Sequence, residues 1–467
     1  MSKYSQKILW LLIGLYVVIF SVISIWKLKG FLYNGFDLAI INNVFFNSLH
    51  GNWFWSSIQG HSYLGDHFTP ILILLLPIYY LWQSPELLLI LQSLFLGLAA
   101  WPIYKIAQIK LGQNLAFWIS LLWLINPLVH NINLYEFHFI SFLPFFLLMA
   151  FYYYLRKNLL LFFIFIFLSL LVREDIAFII LILSLIILFN RRYKIFIILF
   201  FTSLIYLIIS SQITSSFLFY YYYSWLGNAS LGQALGHLVT YTNLEMLIGF
   251  LLPFLFIPLL KPKWLLLALV PLGQIVFSAA GGGAQVWQMH YGALFLPALV
   301  IAFIFSFNKA NNFINNKLKN KYLLIIILII SNIYLWPNFG SYNFEQIQKS
   351  PDLKVIEADA TVMASLNYLP NLSNRENIYS LHYYFLGVQQ FAQDKYILDK
   401  NPEYIILDKD DYNYYDDILK TSAWAGIYYH QGYQRLEELL SEYQVLEERG
   451  QVSLLKKASQ IRIHSVE

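Results

Sequence analysis

Asp37, Asp66, Glu86, Glu136, Glu174, Asp175 and Glu245 are the only carboxylates in the first 338 residues, a stretch otherwise built of apolar runs. An ionised side chain in such surroundings is expensive and is usually kept for function. All seven sit in or beside short polar punctuation, and five of them fall in the contexts FDLA, GDHF, YEFHF and VREDIA. Asp37 suits a general base, because a low-dielectric boundary can raise a carboxylate's proton affinity; helix capping, or pairing with Lys27 and Lys29, is the structural alternative. Asp66 and His67 suit a divalent ion or a substrate hydroxyl; helix capping, or pairing with Lys27 and Lys29, is the structural alternative. Glu136 and His138, two apart on a turn, can share a metal or a proton; a lone interfacial histidine is the plainer reading. Arg173-Glu174-Asp175 separates two apolar segments with almost no loop. The two acids, Glu174 and Asp175, can bind a cation or receive sugar hydroxyls, although any tight hairpin needs polar residues there. His290 and Tyr291 follow GGGAQVWQ, whose glycines permit close backbone approach to a ligand or form a mobile loop.

Those residues have to be positioned by membrane helices. The chain of 467 residues is 59% hydrophobic, 19% aromatic and 12% charged, with mean hydropathy +0.58. A soluble domain carries about 25% charge, so this is a polytopic membrane protein. A net charge of +4 gives no reason to expect nucleic acid. Without cysteine, thiolate nucleophiles and Cys-ligated metals are excluded. Walker, GxSxG and HExxH patterns do not occur, which weighs against ATP-driven transport and zincin proteolysis.

Apolar segments fall at about 8–26, 69–83, 87–104, 115–130, 139–155, 158–172, 176–190, 195–217, 246–260, 264–280, 290–307 and 322–338. The first follows Lys3 and Lys7 and reads as an uncleaved span. The polar run 308–321 reads as a cytoplasmic loop, and the aromatic stretch 213–245 as an interfacial belt or a lid. With the N-terminus cytoplasmic and 69–83 lying at the interface, there are eleven spans. Fifteen Lys and Arg residues then face the cytoplasm, and only Lys27, Lys29 and Arg173 lie outside before the tail. A twelve-span arrangement with the N-terminus outside gives the same ratio. Convergence favours eleven, because only then do Asp37, Asp66, Glu136 and Glu174 share one face.

From 339 onward the composition changes, and the tail holds 19 of the 26 acids. Strand-like runs at Ile378–Leu381 and Glu403–Asp408, with an amphipathic helix pattern at Gln434–Leu446, indicate a small α/β domain. The expected organisation is a transmembrane domain over 1–338, with a first outer loop at 27–68 and a juxtamembrane segment at 69–83. An extracytoplasmic domain over 339–467 follows.

The succession FDLAI, LGDHFTPILILLLPIY, NLYEFHFI, LVRED, HYGALFLPALVIA and, in the tail, ATVMASLNYLPNLSNRENIYSL resembles the bacterial membrane protein family called domain of unknown function 2079. The chain departs from the family pattern at Arg173, where Lys is usual, and at Asn371, where His is common. That family is in turn similar to the GT-C superfamily of membrane glycosyltransferases. The resemblance implies a GT-C-like fold in a bacterial plasma membrane and a catalytic base at Asp37. It also implies that Asp66, Glu136 and Glu174 surround a donor phosphate through a divalent ion such as Mg or Mn, helped by Arg173 or His290. The implied partners are a polyprenyl-phosphate-linked sugar donor, an acceptor and membrane lipids. Two other classes compete: a transporter or flippase for a lipid or polar solute, and a non-catalytic scaffold with an outer binding domain. Transporter acids belong near mid-membrane on broken helices, whereas these lie at span ends.

Overall fold

A helix that meets protein on one side and lipid on the other is apolar all round yet buried along one stripe only. The first helix, Ser2–Lys29, follows this rule. Leu9, Ile13, Tyr16 and Phe20 are buried at helical spacing, while Leu11, Leu15, Val18 and Val22 are exposed. Tyr193–Ile213 behaves alike, burying Ile195, Leu199 and Ser203 and exposing Ile198, Phe201 and Ile205. Gly292–Leu318 is the inner counterpart, with Ala293, Leu296, Ile301, Ile304 and Phe307 all in the core.

The computed structural model describes residues 2–33, 35–214, 223–279, 281–318, 322–337, 350–389, 395–421 and 426–460. Among them, six helices are long and apolar enough to cross a membrane: Tyr4–Lys29, Pro85–Leu111, Gln113–Leu134, Tyr193–Ile213, Leu231–Phe254 and Gly292–Ile314. Six shorter apolar helices accompany them: Ile71–Leu81, Phe139–Leu155, Leu159–Leu170, Ile176–Phe189, Pro262–Val276 and Leu323–Tyr334. Two tight hairpins turn on basic residues in the left-handed region, Lys157 (φ 57°) and Arg191 (φ 58°). Cations there also complement the negative ends of the helices they follow.

Two sequence expectations in this region change. The apolar run 246–260 is not one helix: it breaks at Leu255 and Phe256, both at positive φ, between Pro253 and Pro258, which cannot donate to a helical ladder. The run 308–321 is not a loop up to Leu318. It lacks Gly and Pro, and the helix from Gly292 continues through it; 319–321 lie outside the described residues. Part of the aromatic stretch 213–245 (215–222) and the boundary expected at 338/339 also lie outside them.

The chain divides into two compact units. The first comprises Met1–Ser24, Asp66–Leu74 and Leu89–Asn338; the second comprises Ile25–Gly65, Leu75–Leu88 and Phe339–Glu467. The first-loop residues 25–65 therefore fold with the tail. They carry a helix, Asp37–Leu49, and a short hairpin of β1 (Trp55–Ser56) and β2 (His61–Ser62).

The tail forms a five-stranded sheet from β3 (Val362–Ala364), β4 (Ile378–Ser380), β5 (Tyr404–Asp408), β6 (Tyr443–Arg449) and β7 (Val452–Lys457), in the order β4-β3-β5-β7-β6. β3 pairs in parallel with β4 and β5; β7 pairs antiparallel with β5 and β6. The parallel strands are buried along their whole length, as covered parallel strands must be. The edge strand β6 carries Glu447, Glu448 and Arg449 and a bulge between Val445 and Glu447, both of which discourage further pairing. The helix expected at Gln434–Leu446 instead spans Gly426–Leu440, and Val445 and Leu446 enter β6. A turn at Ser441–Glu442 and the ladder offered by β7 outweigh the helical pattern there.

Candidate functional site

The RED turn owes its shape to its own charges. Arg173 grips Asp175 with two hydrogen bonds, Nε to Oδ1 at 2.9 Å and Nη2 to Oδ2, and both residues are less than a tenth exposed. Asp175 stands at the N-cap of helix Ile176–Phe189 without capping it by its side chain, so its carboxylate serves the guanidinium. The neighbouring Glu174 faces the GDHF segment. Its Oε1 accepts from His67 Nδ1 at 2.9 Å and its Oε2 from the Phe68 amide at 2.8 Å. Backbone pairing of the Ile71 amide with the Leu171 carbonyl at 2.9 Å fixes the two segments together. Burial alone would pull the His67 proton affinity down, but the charge and hydrogen bond of Glu174, with help from Asp66, hold its pKa above the usual histidine value. Burial would raise Glu174, and His67 and Arg173 together hold it below the usual carboxylate range.

The YEFHF turn is held from one side chain. Gln92, fully buried in helix Pro85–Leu98, donates through Nε2 to the carbonyls of Ile132 (3.1 Å), Asn133 (3.3 Å) and Glu136 (3.4 Å). Its Oε1 accepts the His138 amide at 3.0 Å. Asn133 is tied in turn to Tyr16 Oη and Ser93 Oγ. This network fixes His138, whose Nδ1–H donates to the Glu136 carbonyl at 3.3 Å, leaving Nε2 as the basic nitrogen. The Glu136 residue itself is buried.

The ring of His138 stacks on that of His290, centroids 3.4 Å apart and planes 15° apart. Tyr135 and Tyr291 flank the pair, at 5.4 Å and 4.1 Å from the His290 ring. Burial pushes the His290 pKa well below the ordinary value, and the positive potential of His138, Arg173 and His67 pushes it the same way. His290 is therefore a neutral imidazole. Its buried Nδ1 has no hydrogen-bond partner among the described residues. The glycine run before it packs against protein: a Cβ on Gly282 would lie 2.5 Å from Asn243 Oδ1, and its amide donates to that same oxygen at 2.9 Å.

Nine of the ten residues singled out by sequence thus belong to the first unit: Asp66, His67, Glu136, His138, Arg173, Glu174, Asp175, His290 and Tyr291. Four segments distant in sequence present them, and His67, His138 and Arg173 are each close enough to act electrostatically on His290. Sequence reasoning missed Gln92; a lone amide inside the run LLILQSLFLG was its only signal.

Asp37 belongs to the second unit, half-buried at the first residue of helix Asp37–Leu49, where the helix dipole favours an anion. The preceding Phe36 stacks on Tyr383 at 4.4 Å. Lys29 pairs with Glu86 at 2.6 Å and Lys27 lies over the ring of Tyr33. The same helix binds the tail through amides. Asn42 donates to Ser373 Oγ at 2.7 Å and accepts from Tyr79 Oη at 2.8 Å. Asn43 donates to the Arg375 carbonyl at 2.8 Å and accepts from the Ser57 amide at 2.9 Å. Ser57 Oγ exchanges hydrogen bonds with both backbone groups of Ile378, each at 3.0 Å. Asn371 donates to the Leu28 carbonyl at 3.0 Å. The tail motif NLSNRENI is therefore a docking strip for the first loop.

Residues 27–435 match the model of the predicted membrane proteins called domain of unknown function 2079, and the chain belongs to that family. Among solved structures, ArnT from Cupriavidus metallidurans bound to undecaprenyl phosphate aligns with 95% of this chain and 97% of its own, at TM-score 0.56 and 9% identity. The Archaeoglobus fulgidus oligosaccharyltransferase in complex with Zn and sulfate aligns with 86% of this chain and 69% of its own, at TM-score 0.44 and 14% identity. These neighbours are GT-C glycosyltransferases, and the likeness to ArnT is one of fold. No curated protein matches the sequence.

Proposed function

We propose that the chain is a GT-C-type membrane glycosyltransferase that moves a sugar from a polyprenyl-phosphate-linked donor to an acceptor at the outer face of a bacterial plasma membrane. The observation that carries this reading is the convergence of the GDHF, YEFHF, RED and HY segments into one charged, imidazole-rich cluster at helix ends. The GT-C-like fold supports it. In the proposed topology eleven apolar helices cross the membrane with the N-terminus cytoplasmic. Ile71–Leu81 lies at the interface, and the tail is outside.

In the proposed reaction Asp37 takes the proton of an acceptor hydroxyl. The oxygen attacks the anomeric carbon, the bond from that carbon to the phosphate oxygen breaks, and the lipid phosphate leaves with the electron pair. In-line displacement inverts the anomeric configuration. His67 and Arg173 supply the positive charge that a phosphate needs, and their partners Glu174 and Asp175 hold them in place. Both oxygens of Glu174 and both of Asp175 accept hydrogen bonds within the protein. Beside Glu174 and Asp175, the donors that fit a metal are the neutral His290, whose buried Nδ1 has no hydrogen-bond partner among the described residues, and His138, oriented through its Nδ1–H. Imidazoles favour Mn- or Zn-type ions over Mg, which prefers oxygen. A divalent ion held there would stabilise charge on the leaving phosphate.

The test is turnover of a panel of labelled polyprenyl-phosphate sugars by purified protein, wild type against Asp37→Asn. Release of lipid phosphate and an inverted product from wild type, with on the order of 100-fold less from the variant, is expected for loss of a general base. Equal turnover would remove Asp37 from the mechanism, and transport of intact donor without cleavage would replace the reading with a flippase.

A further inference from the structure

A second polar feature lies away from the imidazole cluster. Asn190, Lys261, Pro262, Lys263, Trp264 and Phe305 line an open groove of about 680 Å³ in the first unit. Its floor is aromatic: Trp264 packs between Phe151 and Phe305, with ring centroids 4.9 Å and 5.4 Å away. Two lysines, Lys261 and Lys263, line the groove, and a third, Lys110, touches a lining ring. Lys263 donates to Asn190 Oδ1 at 3.2 Å, Lys110 Nζ lies 4.7 Å above the Phe305 ring, and Lys261 is exposed. Phe189, Leu259, Leu260 and Leu266, which lie within two residues of lining residues in sequence, are apolar and exposed. The connections 105–113, 156–158, 190–194 and 261–263 carry nine basic residues and no acid.

We infer that this groove binds the phosphate headgroup of an anionic phospholipid, with the acyl chains lying on the exposed apolar side chains that flank the lining residues in sequence. Positive charge near a membrane attracts anionic lipid in general. What distinguishes this place is that the Asn190 amide and the Trp264 ring hold Lys263 beside Lys261 in one concavity. A free phosphate would use the lysines and leave Phe189, Leu259 and Leu260 bare; an amphiphile covers both. Basic pockets between membrane helices have this composition where they hold lipid headgroups. The site is independent of the sugar-transfer reading.

The experiment is native mass spectrometry of the full chain released from detergent after equilibration with phosphatidylglycerol, phosphatidylcholine or soluble glycerol phosphate. The proteins are wild type, the double variant Lys261→Gln/Lys263→Gln, and the equal-charge control Arg156→Gln/Lys157→Gln. The expected result is retention of phosphatidylglycerol over phosphatidylcholine, weakened about 10- to 30-fold in the groove double variant and less than about twofold in the control. Glycerol phosphate at millimolar concentration should not compete. Equal loss in both variants would show charge attraction without a site. Competition by glycerol phosphate would show a site for free anions, and equal retention of both lipids would show no headgroup recognition. Each of these three outcomes overturns the inference.

Discussion

Two buried polar clusters, one in each unit, are built in opposite ways. The first buries ions and imidazoles: Arg173 against Asp175, His67 against Glu174, and His138 stacked on His290. The second buries neutral amides: in Asn42 and Asn43 both the donor and the acceptor are satisfied by side chains or backbone of the same unit. Amides so matched specify a fold and have nothing left for a substrate. The imidazole pair retains a buried nitrogen without a hydrogen-bond partner among the described residues, and the proposed chemistry is placed beside it.

The sharpest way to break the contrast is to uncouple the buried ion pair. Asp175→Ala leaves the Arg173 guanidinium buried without its partner, which should cost about 3–5 kcal/mol and abolish turnover. A thermal melt and a donor-cleavage assay on the same preparation would show it, and a variant melting like wild type would mean that water already neutralises the pair. Asn43→Ala strands the Ser57 amide and the Arg375 carbonyl at about 1–3 kcal/mol, and should lower Tm while turnover per folded molecule persists. Gln92→Leu lies between the two. It frees the His138 turn at a similar cost in stability, and it should also reduce kcat, which Gln92→Glu partly restores by keeping the acceptor for the His138 amide.

The His67–Glu174 pair sharpens the contrast through pH. His67 is raised above its ordinary 6.5, so its contribution to stability is full below about pH 6.5 and is lost as pH rises through the raised value. Glu174 is lowered from 4.5, so its contribution is full above that value and is lost as pH falls through the lowered one. The pair is therefore strongest between those limits. Glu174→Gln should flatten the melting profile on the alkaline side, and an unchanged profile there would detach His67 from Glu174. The smallest effect belongs to the exposed Lys29–Glu86 pair, where Lys29→Ala should cost less than about 1 kcal/mol.

How much of this was legible in the sequence follows from the range of each interaction. The apolar runs announce membrane helices locally, and the strands at Ile378 and Tyr404 announce themselves by composition. Arg173 and Asp175 are two residues apart, so their turn could be read directly. His138 and His290 are 152 positions apart, and Asn42 lies 331 positions from Ser373. Nothing local marks such partners, which is why 27–68 reads as a loop although all of it before Asp66 folds with the tail. Gln92 shows the same limit: its four hydrogen bonds go to backbone, which carries no sequence signature.

The most direct test of the division between a chemical and a structural polar cluster sets His290→Gln beside Asn43→Ala in one lipid-phosphate-release assay, normalised to folded protein, with Tm measured for each. The account predicts a His290→Gln protein that melts near wild type and has lost at least about 100-fold in turnover, and an Asn43→Ala protein that melts lower and turns over normally per folded molecule. The reverse pattern, with His290→Gln active and Asn43→Ala inactive though folded, would contradict it.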